Sequence, residues 1–138
     1  NIEKAFNSGG HISGKTTGLN SVNEKIGGLH DSDLIILAGR PGMGKTALAL
    51  DIARRAALLG AGVHVSSLEM APGECFGRIL AAEARVDSRA LANGTTPDHL
   101  LRRVPPALGK VADLPIVIAD AAGQSVFGLS SIIRQGAT

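Results

Sequence analysis

A chain of 138 residues, 44% apolar with a formal charge of +2, can bury one compact core. Its acidic and basic residues are nearly balanced in number and spread along its length, which excludes a basic tail and neither demands nor excludes nucleic acid. Three aromatics (Phe6, Phe76 and Phe127), with no Trp or Tyr, exclude strand binding on aromatic stacking platforms, and a single cysteine, Cys75, excludes an internal disulfide. No apolar run approaches membrane-spanning length, and no signal pattern opens the chain. These features point to a cytoplasmic protein in a reducing compartment. The first residue, Asn rather than Met, points to a piece of a longer chain.

In chain order, residues 1–16 read as a polar, glycine-bearing linker or entry arm. Leu19, Val22 and Ile26 fall at helical spacing, and Gly27-Gly28 end that helix. His30 to Asp33 form a turn cluster. Leu34 to Ala38 is a continuous apolar run between turn signals, the pattern of a parallel strand covered on both faces. Lys45 to Leu59 reads as a helix stopped by Gly60, with Arg54 and Arg55 as a solvated, dipole-favoured end. Val63 to Ser67 is a second strand. Pro72 opens a helix with Glu74 in its first turn and Phe76, Ile79, Leu80 and Ala84 on its apolar side. Thr96-Pro97-Asp98 is an N-cap signal, and Pro105-Pro106 must break or bend the helix that follows it. Leu114 to Asp120 is a third strand. Ser125 caps a last helix carrying Val126, Leu129, Ile132 and Ile133. Strands alternating with helices imply an α/β layer fold with a mostly parallel sheet.

Between the first strand and its helix lies "GRPGMGKT", Gly39 to Thr46, which matches GxxxxGK(S/T) at every fixed position. Backbone N–H groups can line phosphate oxygens only where the chain curls close, and side chains at Gly42 and Gly44 would hinder that. A helix starting near Lys45 aims free amides and a positive dipole end at the same anion. Gly39, Arg40, Pro41, Gly42, Met43, Gly44, Lys45, Thr46 and Ala47 are therefore the expected nucleotide contacts. Lys45 would bridge the β- and γ-phosphates, and the Thr46 hydroxyl would be a ligand to Mg²⁺. A dinucleotide fingerprint is disfavoured, because GxGxxG is absent.

Two carboxylates follow strands, where an open parallel sheet places its site. Glu69, in "SLEM", could face a γ-phosphate or be an exposed loop acid. Asp120, ending "PIVIAD", could approach Mg²⁺ through water or merely end a strand. On pattern alone both stay open. The four histidines are scattered and form no metal cluster. Arg102-Arg103 read as a solvated face, and Met43 and Met70 as packing residues.

Taken together, Thr17-Gly18 through Ala38, "RPGMGKTALAL", "SLEM" and "RILAAEARVDSRAL" (Arg78 to Leu91) resemble the ATPase domain of DnaB-type replicative DNA helicases. That family belongs to the RecA-like P-loop NTPases. The resemblance covers about residues 11–120 and implies that 17–138 form part of a RecA-like ATPase domain. It implies ATP and Mg²⁺ as cofactors, Lys45 stabilising charge in the transition state, and Glu69 orienting the attacking water. It demotes Asp120, since the family's second acidic motif, an apolar strand ending Asp-Tyr-Leu-Gln, is not in this sequence. The DNA-contacting loops and the arginine that reaches a neighbouring subunit are also expected downstream. Implied partners are single-stranded DNA at replication forks, a homo-hexameric ring, primase and a helicase loader. Two other readings are another RecA-like ATPase, of recombinase or clock type, and a nucleotide-binding domain inactive on its own.

Overall fold

The computed structural model describes residues 12–125, 127, 128, 130, 131 and 134. The chain divides after Ala61 into two compact units. The first, through residue 61, carries α1 (Asn20–Ile26) and α2 (Lys45–Leu58). The second carries β1 (Val63–Ser67), α3 (Pro72–Ala84), α4 (Ser88–Ala92), α5 (Asp98–Leu101), α6 (Val104–Ala112) and β2 (Ile116–Asp120). Among the described residues no helix is long and apolar enough to cross a membrane.

In the first unit, α1 ends as its glycines require: Gly27 adopts φ 74° and returns its N–H to the Asn23 carbonyl at 2.7 Å. The helix is anchored by a polar group rather than by its apolar spacing. Buried Asn23 accepts from the Thr17 amide at 2.9 Å and the Thr17 hydroxyl at 2.7 Å, and donates to the Thr16 hydroxyl at 2.6 Å. An isolated antiparallel bridge, Lys15 with Leu29, closes the segment. Ser13 Oγ and His30 Nε2, 2.7 Å apart, and His30 Nδ1 and Asp33 Oδ2, 3.3 Å apart, staple the same turn.

Leu34 to Ala38 departs from expectation. The run joins no ladder, and Leu34 is 87% and Ile36 79% exposed. A strand exists only through a partner, and among the described residues the two strands pair with each other. Apolar continuity marks a segment suited to a sheet interior but cannot supply its neighbours.

Helix α2 runs from Lys45 to Leu58, with Gly60 just beyond it in the left-handed region at φ 85°. Arg54 and Arg55 are not the solvated face expected. The Arg54 side chain is only 11% exposed, and its Nη2 lies 2.7 Å from Asp51 Oδ1. Arg55 Nε meets Asp51 Oδ2 at 2.7 Å, and its Nη1 donates to the Gly18 carbonyl at 3.0 Å. The signal was the Asp51, Arg54, Arg55 spacing, i to i+3 and i+4 on one helix face. Gly18, at φ 76°, is required here, because a Cβ would strike the stem of Arg55.

Partial burial pushes the Asp51 carboxyl up, but hydrogen bonds and charge from Arg54 and Arg55 outweigh this and hold it below the usual carboxylate range. A depressed folded pKa contributes stability above the unfolded value of about 3.9, lost as pH falls through the folded value. Asp51→Asn is therefore expected to cost about 1 kcal/mol near neutrality. Urea midpoints of variant and parent should converge as pH falls below about 4. A gap that persists undiminished into acid would refute the electrostatic assignment.

In the second unit β1 and β2 are parallel, in register from Val63↔Ile116 to Ser67↔Asp120. Helix α3 packs on β2, α4 and α6, and the core is small and aliphatic: Cys75, Ile79, Ala81, Ala84, Ala107, Val111 and Ala121. Cys75 is a free, buried thiol. Glu74 pairs with Arg78 across one turn at 2.9 Å. The proline pair acts as predicted: α5 stops at Leu101, and Pro105 and Pro106 lie in the first turn of α6, where no intrahelical N–H is needed. Thr96 does not cap α5. Pro97 holds that position, and the buried Thr96 hydroxyl has no partner among the described residues. Ser125 Oγ accepts from the Gly128 amide at 3.2 Å, as a cap should. Val126, Leu129, Ile132 and Ile133 lie outside the described residues.

Candidate functional site

The loop Gly39 to Thr46 belongs wholly to the first unit. It begins with a turn in which the Met43 amide donates to the Arg40 carbonyl at 3.3 Å. Gly42 and Gly44 then take φ 76° and 84°, a region costly for other residues. An added Cβ at either would meet nothing within 4 Å, so backbone conformation, not space, demands glycine there. Gly44 is the N-cap of α2 and accepts from Leu48 N at 2.9 Å. The amides that open such a helix have no intrahelical partner and face outward at the positive end of its dipole.

Lys45 lies across this curl. Its Nζ donates to the carbonyls of Gly39 at 2.8 Å and Arg40 at 3.2 Å. An ammonium held by two exposed carbonyls can be transferred to a stronger acceptor at little cost. Arg40, Pro41, Thr46 and Ala47 are exposed, and the Thr46 hydroxyl sits in the first turn of α2. Met43 is 73% exposed and does not pack, contrary to its sequence reading, because the loop lifts it away from any core.

In the second unit Glu69 lies in the bend just past the C-terminal end of β1. Ser67 makes that bend: its Oγ accepts from the Met70 amide at 3.0 Å and donates to the Met70 carbonyl at 2.6 Å. The clasp holds Glu69 at the apex, exposed and with no hydrogen bond or ion pair among the described residues. Sequence reasoning missed Ser67, although a serine ending a strand just before a bend is a recognisable turn former. Asp120 ends β2 opposite Ser67. Its Oδ1 is taken by the Ala122 amide at 2.9 Å, an Asx turn that gives this carboxylate a structural task. The structure thus gathers Gly39 to Ala47 into one loop and the first turn of α2, and sets Glu69 and Asp120 at the carboxyl edge of the parallel pair. His64 lies on β1 with both ring nitrogens buried and unpartnered among the described residues, and no cluster of His, Cys, Asp or Glu there could hold a metal.

The family model described as the DnaB-like helicase C terminal domain matches residues 14–138. A replicative DNA helicase DnaB of Leifsonia xyli subsp. xyli is 33% identical over 135 residues, 97% of this chain and 30% of its own. A replicative DNA helicase DnaC of Bacillus subtilis is 35% identical over 136 residues, 98% of this chain and 30% of its own. Among solved structures, a DnaB-like replicative helicase studied for its interactions with primase superposes with a TM-score of 0.87 at 28% identity, over 97% of this chain and 32% of that one. The chain therefore spans about 30% of the length of these curated relatives. The α/β fold is that of RecA-like helicase ATPase domains, as the alternation of elements implied. Loop, parallel strands and the whole stretch from residue 14 onward agree, and the chain belongs to the DnaB-like helicase C-terminal domain family.

Proposed function

We propose that this chain is the nucleotide-binding part of an ATP-driven replicative helicase motor that moves along single-stranded DNA. The observation that carries this reading is the curl of Gly39 to Thr46, with two left-handed glycines feeding α2 and Lys45 laid across it. In this reading the loop amides from Gly42 to Ala47 receive the β-phosphate. Lys45 leaves the Gly39 and Arg40 carbonyls to span non-bridging oxygens of the β- and γ-phosphates. Glu69 orients a water for in-line attack on the γ-phosphorus and takes its proton. The new P–O bond forms as the bond to the β–γ bridging oxygen breaks, releasing ADP and phosphate.

Thr46 offers a single hard hydroxyl oxygen, which suits Mg²⁺ that arrives with the nucleotide and keeps most of its waters and phosphate ligands. Bound there, the ion would neutralise charge on the β- and γ-oxygens. In the assembled protein we place this motor in a six-membered ring around the strand, with primase and a loader as partners. One structural neighbour is a DnaB-like replicative helicase that interacts with primase, which supports this part of the reading.

The test is ATP turnover by the whole protein with and without oligothymidylate. Stimulation by the strand of roughly tenfold or more is expected of a motor whose cycle is coupled to it. Tight ATP binding with no turnover under either condition would favour a nucleotide-binding role without hydrolysis, and absence of ATP binding would remove the reading altogether.

A further inference from the structure

We propose that the second unit carries a phosphate-binding cleft of its own, built to hold the backbone of a nucleic-acid strand. The cleft, of about 430 Å³, opens between the end of α3 and the α5–α6 corner. Arg85, Arg102, Arg103 and Lys110 line it with one carboxylate, Glu83, an excess of three positive charges. Glu83 is engaged by Lys110 at 3.7 Å. The three arginines have no ion-pair partner among the described residues, and all are exposed. Repulsion among unpaired guanidiniums around one concavity is unfavourable without an anion, so an anion is what the cleft fits.

Arg85 adds a second, independent observation. It is the C-cap of α3 and sits in the left-handed region at φ 56°. Glycine takes this position without strain. Here the strain is kept together with a side chain that lines the cleft, as happens where a group serves a ligand.

Phosphate is the anion we assign to the site. A planar guanidinium fork pairs two oxygens at once, and the three forks here can share a run of phosphates. The remaining wall is small and apolar, including Pro106, with no aromatic ring to stack a base. Contact is therefore with the backbone and independent of sequence. The strand is the one the proposed motor engages, so this inference rests on that reading.

The experiment measures binding of a labelled oligothymidylate to the whole protein by fluorescence anisotropy over a salt series, without nucleotide. The doubly substituted Arg102→Glu/Arg103→Glu protein is expected to bind at least tenfold more weakly. Its log K against log salt slope should flatten by about 1.4, from two lost phosphate contacts at about 0.7 each. Arg85→Gly, which relieves the positive φ, is expected to keep its melting temperature, weaken binding severalfold and flatten the slope by about 0.7. If both cleft variants match the parent in affinity and slope while the parent binds, the cleft assignment falls and the motor reading stands. If the parent has no affinity for the strand, the motor reading falls and the cleft with it. Displacement by polyglutamate as effective as by thymidylate would make the ligand an acidic polypeptide and overturn the phosphate assignment.

Discussion

Lys45→Ala is expected to lower ATP turnover by the whole protein about 10²- to 10³-fold, the usual effect of removing one preorganised donor aimed at transition-state charge. It should also weaken ATP binding tenfold or more, since a charged hydrogen bond contributes about 1.5–3 kcal/mol. The structure gives the reason for both effects. Among the described residues the Lys45 ammonium is tied to two exposed carbonyls, those of Gly39 and Arg40, so its release to a phosphate sacrifices little. Its place in the first turn of α2 keeps it over the loop throughout. Lys45→Arg should rescue little. The guanidinium is larger and planar, and it would have to fit a curl shaped around a point charge. The resting bonds are exposed, so neither substitution should move the melting temperature by more than a degree or two. Calorimetric titration with ATP and a phosphate-release assay check the two effects separately. Turnover within twofold of the parent would remove Lys45 from the chemistry.

Much of this site was legible in the sequence because its chemistry is local. Four positions of one octapeptide specify a curl, and the curl demands glycine where φ is positive. Helix ends were legible for the same reason: Gly27 and Gly60 stop α1 and α2 at the conformation only glycine takes freely. What escaped was whatever depends on partners distant in the chain. The apolar run Leu34 to Ala38 has the composition of a buried strand, but a ladder is a relation between segments, and its exposure could not be read from its own residues. Asn23 shows the converse. Its apolar neighbours set the helical period, yet a buried amide bonded to Thr16 and Thr17 anchors the helix. The pairing of Arg54 and Arg55 with Asp51 could have been read from their i+3 and i+4 spacing, but the bond from Arg55 to the Gly18 carbonyl could not, because that carbonyl lies far back along the chain.

Glu69→Gln is the sharper test, since it removes a base and keeps the shape. Turnover is expected to fall at least about a hundredfold, within the range for loss of a positioned general base, while ATP affinity stays within about twofold of the parent. The carboxylate is suited to this task by what it does not do: at the apex of the Ser67 clasp it has no protein partner among the described residues and is open to water. Asp120 supplies the internal comparison. It ends the adjacent strand at the same edge, but its oxygen already accepts from the Ala122 amide. Asp120→Asn keeps an acceptor for that amide and is expected to leave turnover within about twofold. Ser67→Ala should fall between them, because it loosens the bend without touching the carboxylate, and it should lower kcat more than it raises KM for ATP. If Asp120→Asn abolishes turnover and Glu69→Gln does not, the roles of the two acids are reversed. The base would then be the carboxylate at the end of β2, and the free carboxylate in the bend would be no more than a solvated turn.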